Sequence, residues 1–468
     1  MIKSSVRPKR TLTVFGLVMI TTGIITSIHG APSMAEYGLS LVTIYFIVSV
    51  VFLLPSALIS AELATGWPED GGVYVWVKTA FGERLGFMAV WQQWIENVVW
   101  FPSILQVTVV TAVYGFAPDL QNNKWFTFGA VNLVFWSLTI ANLFGMRTSG
   151  IIATICTLAG RILPILFMAG LAIMYLVQGD PTPVQFNMES LIPDFSDFGL
   201  LSFVVGAFLT FAGIEASASN AASAKNPRRD YPIAIILSGS FALVLVTLIS
   251  LSIAIVVPQK DISLVSGIME AIHNMLAVFH LGWIVPIAGL IIALGMVGEV
   301  NNWIPAPTRG LLVAGRDGTL PPFWQQENRH AVHWPILILQ GFVVTGISSL
   351  VLFFDIQSAF WLLNIVPAML YLVMYFLMFA AGVRLRYTHP EVPRRYRVPL
   401  GNFGIWTLAL VGIAAGLVAI GFAFIPPETV PAAHRRPYIA VVAIGFFFFT
   451  LLPIILFQLR KPHWKPSA

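Results

Sequence analysis

The sequence predicts an all-α integral membrane protein with twelve transmembrane helices. Three observations carry that prediction. Of the 468 residues, 57% are hydrophobic and 10% charged, and the mean hydropathy is +0.83. A soluble chain carries about 25% charge, so the surplus apolar surface must face lipid. The apolar runs are continuous; a β-barrel would alternate in ten-residue segments. Finally, if the N-terminus is cytoplasmic, the 26 Lys and Arg residues divide unevenly. Only Lys124, Lys260, Arg435 and Arg436 fall in outer loops, Arg161 lies within a helix, and the rest are on the inner side. That asymmetry supports both the helix count and the orientation.

The expected spans are 11–35, 40–65, 86–115, 125–144, 150–177, 199–221, 232–257, 282–306, 335–354, 359–383, 402–425 and 438–459, each long enough to cross a bilayer. Met1–Arg10 is basic, but the apolar segment after it is too long for a signal peptide and lacks a small-residue cleavage site. The outer loop 179–198 carries Asp180, Glu189, Asp194 and Asp197 and no basic residue. The spans group as a tail (1–10), two sets of five helices (11–178 and 199–383), a final pair (402–460) and a second tail (461–468). Both tails are expected in the cytoplasm, with the protein in the cell (inner) membrane.

Segment 1 has Thr21-Thr22-Gly23-Ile24-Ile25-Thr26-Ser27-Ile28-His29-Gly30 at its centre. Segment 6 has Gly213-Ile214-Glu215 at a matching place. Paired interrupted helices opening two halves point to an inverted-repeat transporter. The competing reading is that small residues let helices approach closely. Glu215 is costly in an apolar span and is expected to face a cavity or a partner. A carboxyl there can take up and release a proton, or it can tie two helices together.

Segment 3 carries Glu96, with Gln93 and Trp100 at helical spacings of three and four. Glu96 either contacts a substrate or pairs with Arg161. Segment 5 carries Arg161 some eleven residues in, about 16 Å, deep for a side chain reaching back to the interface. Segment 8 carries Glu299 and Trp303, four apart and therefore on one face. His29 is more simply a packing residue than a titrating one. Gly71-Gly72 suits a turn at the membrane edge.

Three stretches, AELATGWPEDGGVYVWVKTAFGERLGF (61–87), FAGIEASASNAASAKNPRRDYPIA (211–234) and PTRGLLVAGRDGTLPPF (307–323), resemble the amino acid–polyamine–organocation transporters. The chain is most similar to their branch of glutamate/γ-aminobutyrate antiporters and related amino acid/amine exchangers. The resemblance implies a LeuT-type fold of two inverted five-helix repeats plus two helices. It implies sodium-independent amino acid/amine antiport or proton-coupled uptake. The substrate is then expected at Ile25, Thr26, Ser27, Ile28, Phe211, Ala212, Gly213 and Ile214, with Glu96 and Trp303 beside it. Glu215 and Glu299 are expected to couple protons. Arg161 resembles a lysine that stands in some relatives where sodium-driven cousins bind sodium. Glu62 and the loop 66–84 resemble the inner gate. Thr26-Ser27-Ile28 departs from the usual Gly-Ser-Gly triplet, and the chain stops at Ala468 without the C-terminal plug of those antiporters.

No enzyme is expected: neither a phosphate loop nor a zinc-protease or nucleophile-elbow motif occurs. One cysteine, Cys156, forbids a cysteine-cluster metal site, and no cofactor is expected. The net charge of +5 sits in loops, so nucleic acid is not a partner; amino acids or amines, protons and the bilayer are. The alternatives are a channel, or a sensor built on a transporter fold.

Overall fold

A computed structural model describes residues 13–69, 71–145, 158–194, 196, 198–217, 225–427, 430 and 435–465. The tail 1–10, the start of segment 5 with Cys156, and the end of segment 6 lie outside the described residues. Among those described there is no strand. Eleven helices are long and apolar enough to cross a membrane. A further apolar helix, Val14–Ile25, is shorter than a full span. We label it α1 and the eleven that follow α2 (Gly38–Gly66), α3 (Glu83–Val113), α4 (Lys124–Leu143), α5 (Leu158–Val177), α6 (Gly199–Ser217), α7 (Arg229–Val256), α8 (Gly282–Thr319), α9 (Trp334–Phe353), α10 (Ile356–Thr388), α11 (Gly401–Ala423) and α12 (Arg435–Gln458).

Burial sorts these helices. The most apolar windows of α3 and α10 are 94% and 83% buried, while that of α12 is 17% buried. So α3 and α10, which pack along each other, form the centre, and α12 presents most of its surface outward. The long aliphatic runs of α12 suit lipid, which replaces water as their solvent.

Both expected interruptions occur. Helix α1 stops at Ile25, because Thr26 is extended (φ −97°, ψ 103°). The chain resumes a short helix only at Ala31–Ala35. In α6 the regular helix ends at Phe211, where Gly213 takes φ 97°, a conformation open to glycine and strained for other residues. Helix α8 is regular from Val285 to Trp303 and bends before Ala306.

One end of the bundle is tied by a buried ion network. Glu62 of α2 pairs with Arg386 of α10 at 2.5 Å and lies 3.4 Å from Arg394. It also accepts a hydrogen bond from the Val398 amide at 2.7 Å. The gate-like Glu62 of the sequence is thus a clasp between α2, α10 and the loop after α10.

Candidate functional site

The site begins with a glycine crossing. A Cβ on Gly295 of α8 would lie 2.0 Å from the Gly160 carbonyl oxygen, and one on Gly160 would lie 2.3 Å from the Gly295 nitrogen. Two backbones in that proximity leave room for no side chain. The next residue after Gly160 is Arg161, and one turn after Gly295 is Glu299. The crossing therefore brings a buried guanidinium to a buried carboxylate, Nη2 to Oε2 at 3.1 Å. Arg161 Nη1 donates to the Gly23 carbonyl at 2.8 Å and the Thr26 carbonyl at 2.5 Å. These are carbonyls at the end of α1, where no next turn of helix supplies donors. Arg161 thus links the α1 break to α8. The contact with Glu299 is ionic rather than well aligned: Arg161 Nε and Nη2 and Glu299 Oε2 make no hydrogen bond of good geometry. Arg161 pairs with Glu299, so the expected alternative of an Arg161–Glu96 pair is corrected. Helix α5 opens with a π-turn over Leu158–Ile162, and Arg161 sits within it.

Glu215 follows the α6 break by two residues and is buried. Tyr371 of α10 donates to its Oε1 at 2.6 Å, Gln93 of α3 donates to the same oxygen at 3.0 Å, and Tyr375 donates to Oε2. The Gly213 amide in turn donates to the Tyr375 hydroxyl at 2.8 Å. A carboxylate is acceptor-only and a protonated carboxyl must donate. Three converging donors suit the carboxylate; a protonated Glu215 must itself donate, which a tyrosine hydroxyl can accept by turning its own proton away.

Between the breaks lies a cavity of about 40 Å³ lined by Ser27, His29, Glu96, Trp100, Glu299, Trp303 and Tyr371, among others. That volume holds a few waters, whereas sites for small ligands span about 300–1,000 Å³. The walls must move to admit a solute. Of the residues expected to bind substrate, Ile25, Ser27, Glu96, Ala212 and Trp303 line it. Thr26, Ile28, Phe211, Gly213 and Ile214 do not; Ile28 and Phe211 are packed in the core. His29 is held by Ser27 at 2.6 Å, Asn364 at 3.0 Å and Trp100 at 3.1 Å. Glu96 accepts from the Asn97 amide nitrogen.

A second cavity, about 430 Å³, runs from the loop 67–73 and the last part of α8 (305–316) up to Gln93 and Glu215. Trp303 lines both cavities, and its ring sits against the α6 break, 2.9 Å from where a Gly213 Cβ would be. It is a wall common to the two. In the larger cavity, burial, then Arg309 and Arg316, push the His333 imidazole down to about 4. Tyr371, Tyr375 and Asn364 were not singled out from the sequence. The available signal was the four-residue spacing of the tyrosines within an apolar run. Among the described residues no cluster of His, Cys, Asp or Glu could hold a metal ion.

Comparison with known proteins agrees with this architecture. The sequence profile of the amino acid permease family matches residues 12–449. An uncharacterized transporter of Legionella pneumophila is 37% identical over 446 residues, covering 95% of this chain and 96% of that one. A glutamate/γ-aminobutyrate antiporter of Lactococcus lactis is 31% identical over 97% of this chain and 91% of its own length. A probable agmatine/putrescine antiporter of the same species is 26% identical, covering 85% and 84%. The chain is a transporter rather than an enzyme, with the many apolar helices of a multi-pass membrane protein. It belongs to the amino acid permease family of the amino acid–polyamine–organocation superfamily.

Proposed function

We propose that this protein exchanges amino acids or their amines by alternating access, without sodium, in the cell membrane and with both termini cytoplasmic. The observation that carries the sodium-free reading is the Arg161 guanidinium on the Gly23 and Thr26 carbonyls, beside Glu299. Carbonyl oxygens and a carboxylate between two helices are what a bound cation asks for, and a guanidinium that is never deprotonated fills that place permanently. In this reading Glu299 is the counter-ion of a fixed charge. Proton coupling, assigned from the sequence to Glu215 and Glu299 together, falls to Glu215 alone.

Substrate recognition follows from the break in α1. The amides of Ser27, Ile28 and His29 have no hydrogen-bond partner among the described residues. Unpaired amides are suited to a carboxylate without any glycine triplet. Glu96 and the faces of Trp100 and Trp303 suit an amine. Exchange of amino acids and amines is also the activity in the names of the antiporters reported above, which supports this class of substrate.

The test is counterflow in liposomes with labelled glutamate, γ-aminobutyrate, agmatine and putrescine, with sodium replaced by potassium. Uptake stimulated by internal substrate and indifferent to sodium is expected; sodium-driven uptake refutes the fixed-cation reading, and ohmic current supports a channel. Glu215→Gln is expected to flatten the pH profile of exchange. An unchanged profile removes Glu215 from proton coupling.

A further inference from the structure

A cleft separate from both cavities opens at the edge of the bundle between α10, α11 and the helix Val73–Phe81. Its volume is about 350 Å³. One wall is the α11 face of Trp406, Leu410 and Ile413; the other is α10 at Val383. Trp406 to Ile413 is seven residues, about 10 Å along the helix. The cleft is therefore about 10 Å long between two apolar walls, room for part of an acyl chain.

Its mouth is charged. Arg384 lies over the Phe81 ring at 4.9 Å. Its guanidinium has no carboxylate or other acceptor among the described residues. The other charged groups of this end reinforce the imbalance. Arg386 and Arg394 are held by Glu62, Arg395 and Arg397 are exposed in the loop that follows, and Glu391 is the single carboxylate of that loop. Beside the mouth, Trp406 donates to the Tyr387 hydroxyl at 3.1 Å. Both rings are half-exposed (45% and 55%), and a Trp–Tyr pair of this kind marks the level of lipid headgroups.

An apolar slot alone accepts any acyl chain, and an exposed arginine alone meets any anion. The two joined end to end, at the level of the headgroups, select a molecule with an anionic head and an apolar tail. We propose that this cleft binds one anionic phospholipid, its phosphate on Arg384 and an acyl chain along α11. The guanidinium fork matches two phosphate oxygens at once, and basic pockets between membrane helices favour anionic headgroups.

The full-length protein, purified in a neutral detergent, is incubated with phosphatidylglycerol, phosphatidylethanolamine or inorganic phosphate. Lipid retention is read by native mass spectrometry and the unfolding temperature by a thermal scan. Phosphatidylglycerol is expected to be retained one per protein and to raise the unfolding temperature with concentration. The other two are expected to do neither. Arg384→Gln should lower phosphatidylglycerol retention at least tenfold. Ala380→Leu, which narrows the slot and leaves the charge intact, should lower it as well. Equal retention of phosphatidylethanolamine, an equal shift with inorganic phosphate, or wild-type retention in both variants overturns the proposal. Should Arg384→Gln not fold, retention by Ala380→Leu decides.

Discussion

Replacing Arg161 by Gln removes one charge of a buried pair and tests whether α5, α1 and α8 are held together by that charge. At 3.1 Å between Nη2 and Oε2, the Coulomb attraction is about 5 kcal/mol at an effective dielectric near 20. That is a ceiling, since both ions give up hydration to be there. Poor alignment and the missing acceptor for Nε lower it further, to a coupling of about 2 kcal/mol. Arg161→Gln leaves Glu299 without its counter-ion and strips a donor from the carbonyls of Gly23 and Thr26. The expected cost is about 3–5 kcal/mol. Glu299→Gln should cost a similar amount, since it strands the guanidinium. The double variant buries no charge, so its cost should fall short of the two single costs together by about 2 kcal/mol. Equilibrium unfolding in mixed micelles, followed by circular dichroism, measures all four corners of the cycle. Single costs below ~1 kcal/mol, or additivity within ~0.5 kcal/mol, refute the assignment of the pair as the fastener of the site.

Gly160→Ala and Gly295→Ala each drive a methyl into backbone. Both should lower stability by about 1–3 kcal/mol or more, whereas Gly170→Ala, with open space around its Cβ, should be neutral or stabilising by about 0.5–1 kcal/mol; thermal unfolding separates them. Trp303→Ala merges the two cavities that the indole divides, and liposome assays should find substrate leaving without exchange. His333 is held near 4 against an ordinary 6.5, so between those values the unfolded chain binds a proton that the folded chain refuses. Its contribution is absent above pH 6.5, and stability falls as pH drops toward 4, by ~3 kcal/mol when complete. His333→Gln should flatten that acid limb in unfolding measured against pH.

Much of the fold was legible because lipid demands it: apolar length and loop charge locate spans whatever their packing. The two breaks were legible as well. Polar residues at the centre of segment 1 and Gly213 beside Glu215 are local violations of a good helix. What was not legible is rotation about the helix axes. Glu96 was named as a candidate partner of Arg161 and Glu299 was not, since spacing along one helix says nothing of the facing helix. The Gly160–Gly295 crossing and the π-turn at Leu158–Ile162 decide it, and both depend on tertiary contact. Tyr371 and Tyr375 were hidden for a related reason: in an apolar span, tyrosine reads as ordinary filling until a carboxylate is placed opposite. Ile28, named as a binding residue because it stands third in the expected triplet, is packed in the core.

The reach of the larger cavity to Glu215 has an electrical meaning. Filled with water, the larger cavity carries the potential of its side of the membrane inward as far as Glu215, so the field is concentrated across the protein beyond it. If Glu215 carries the proposed proton, a proton reaching it from that side crosses little of the voltage, and one leaving toward the other side crosses most of it, worth about 2.3 kcal/mol per 100 mV. On that proposal the membrane voltage acts on the two halves of a cycle unequally, because the larger cavity reaches from one end of the bundle inward to Glu215.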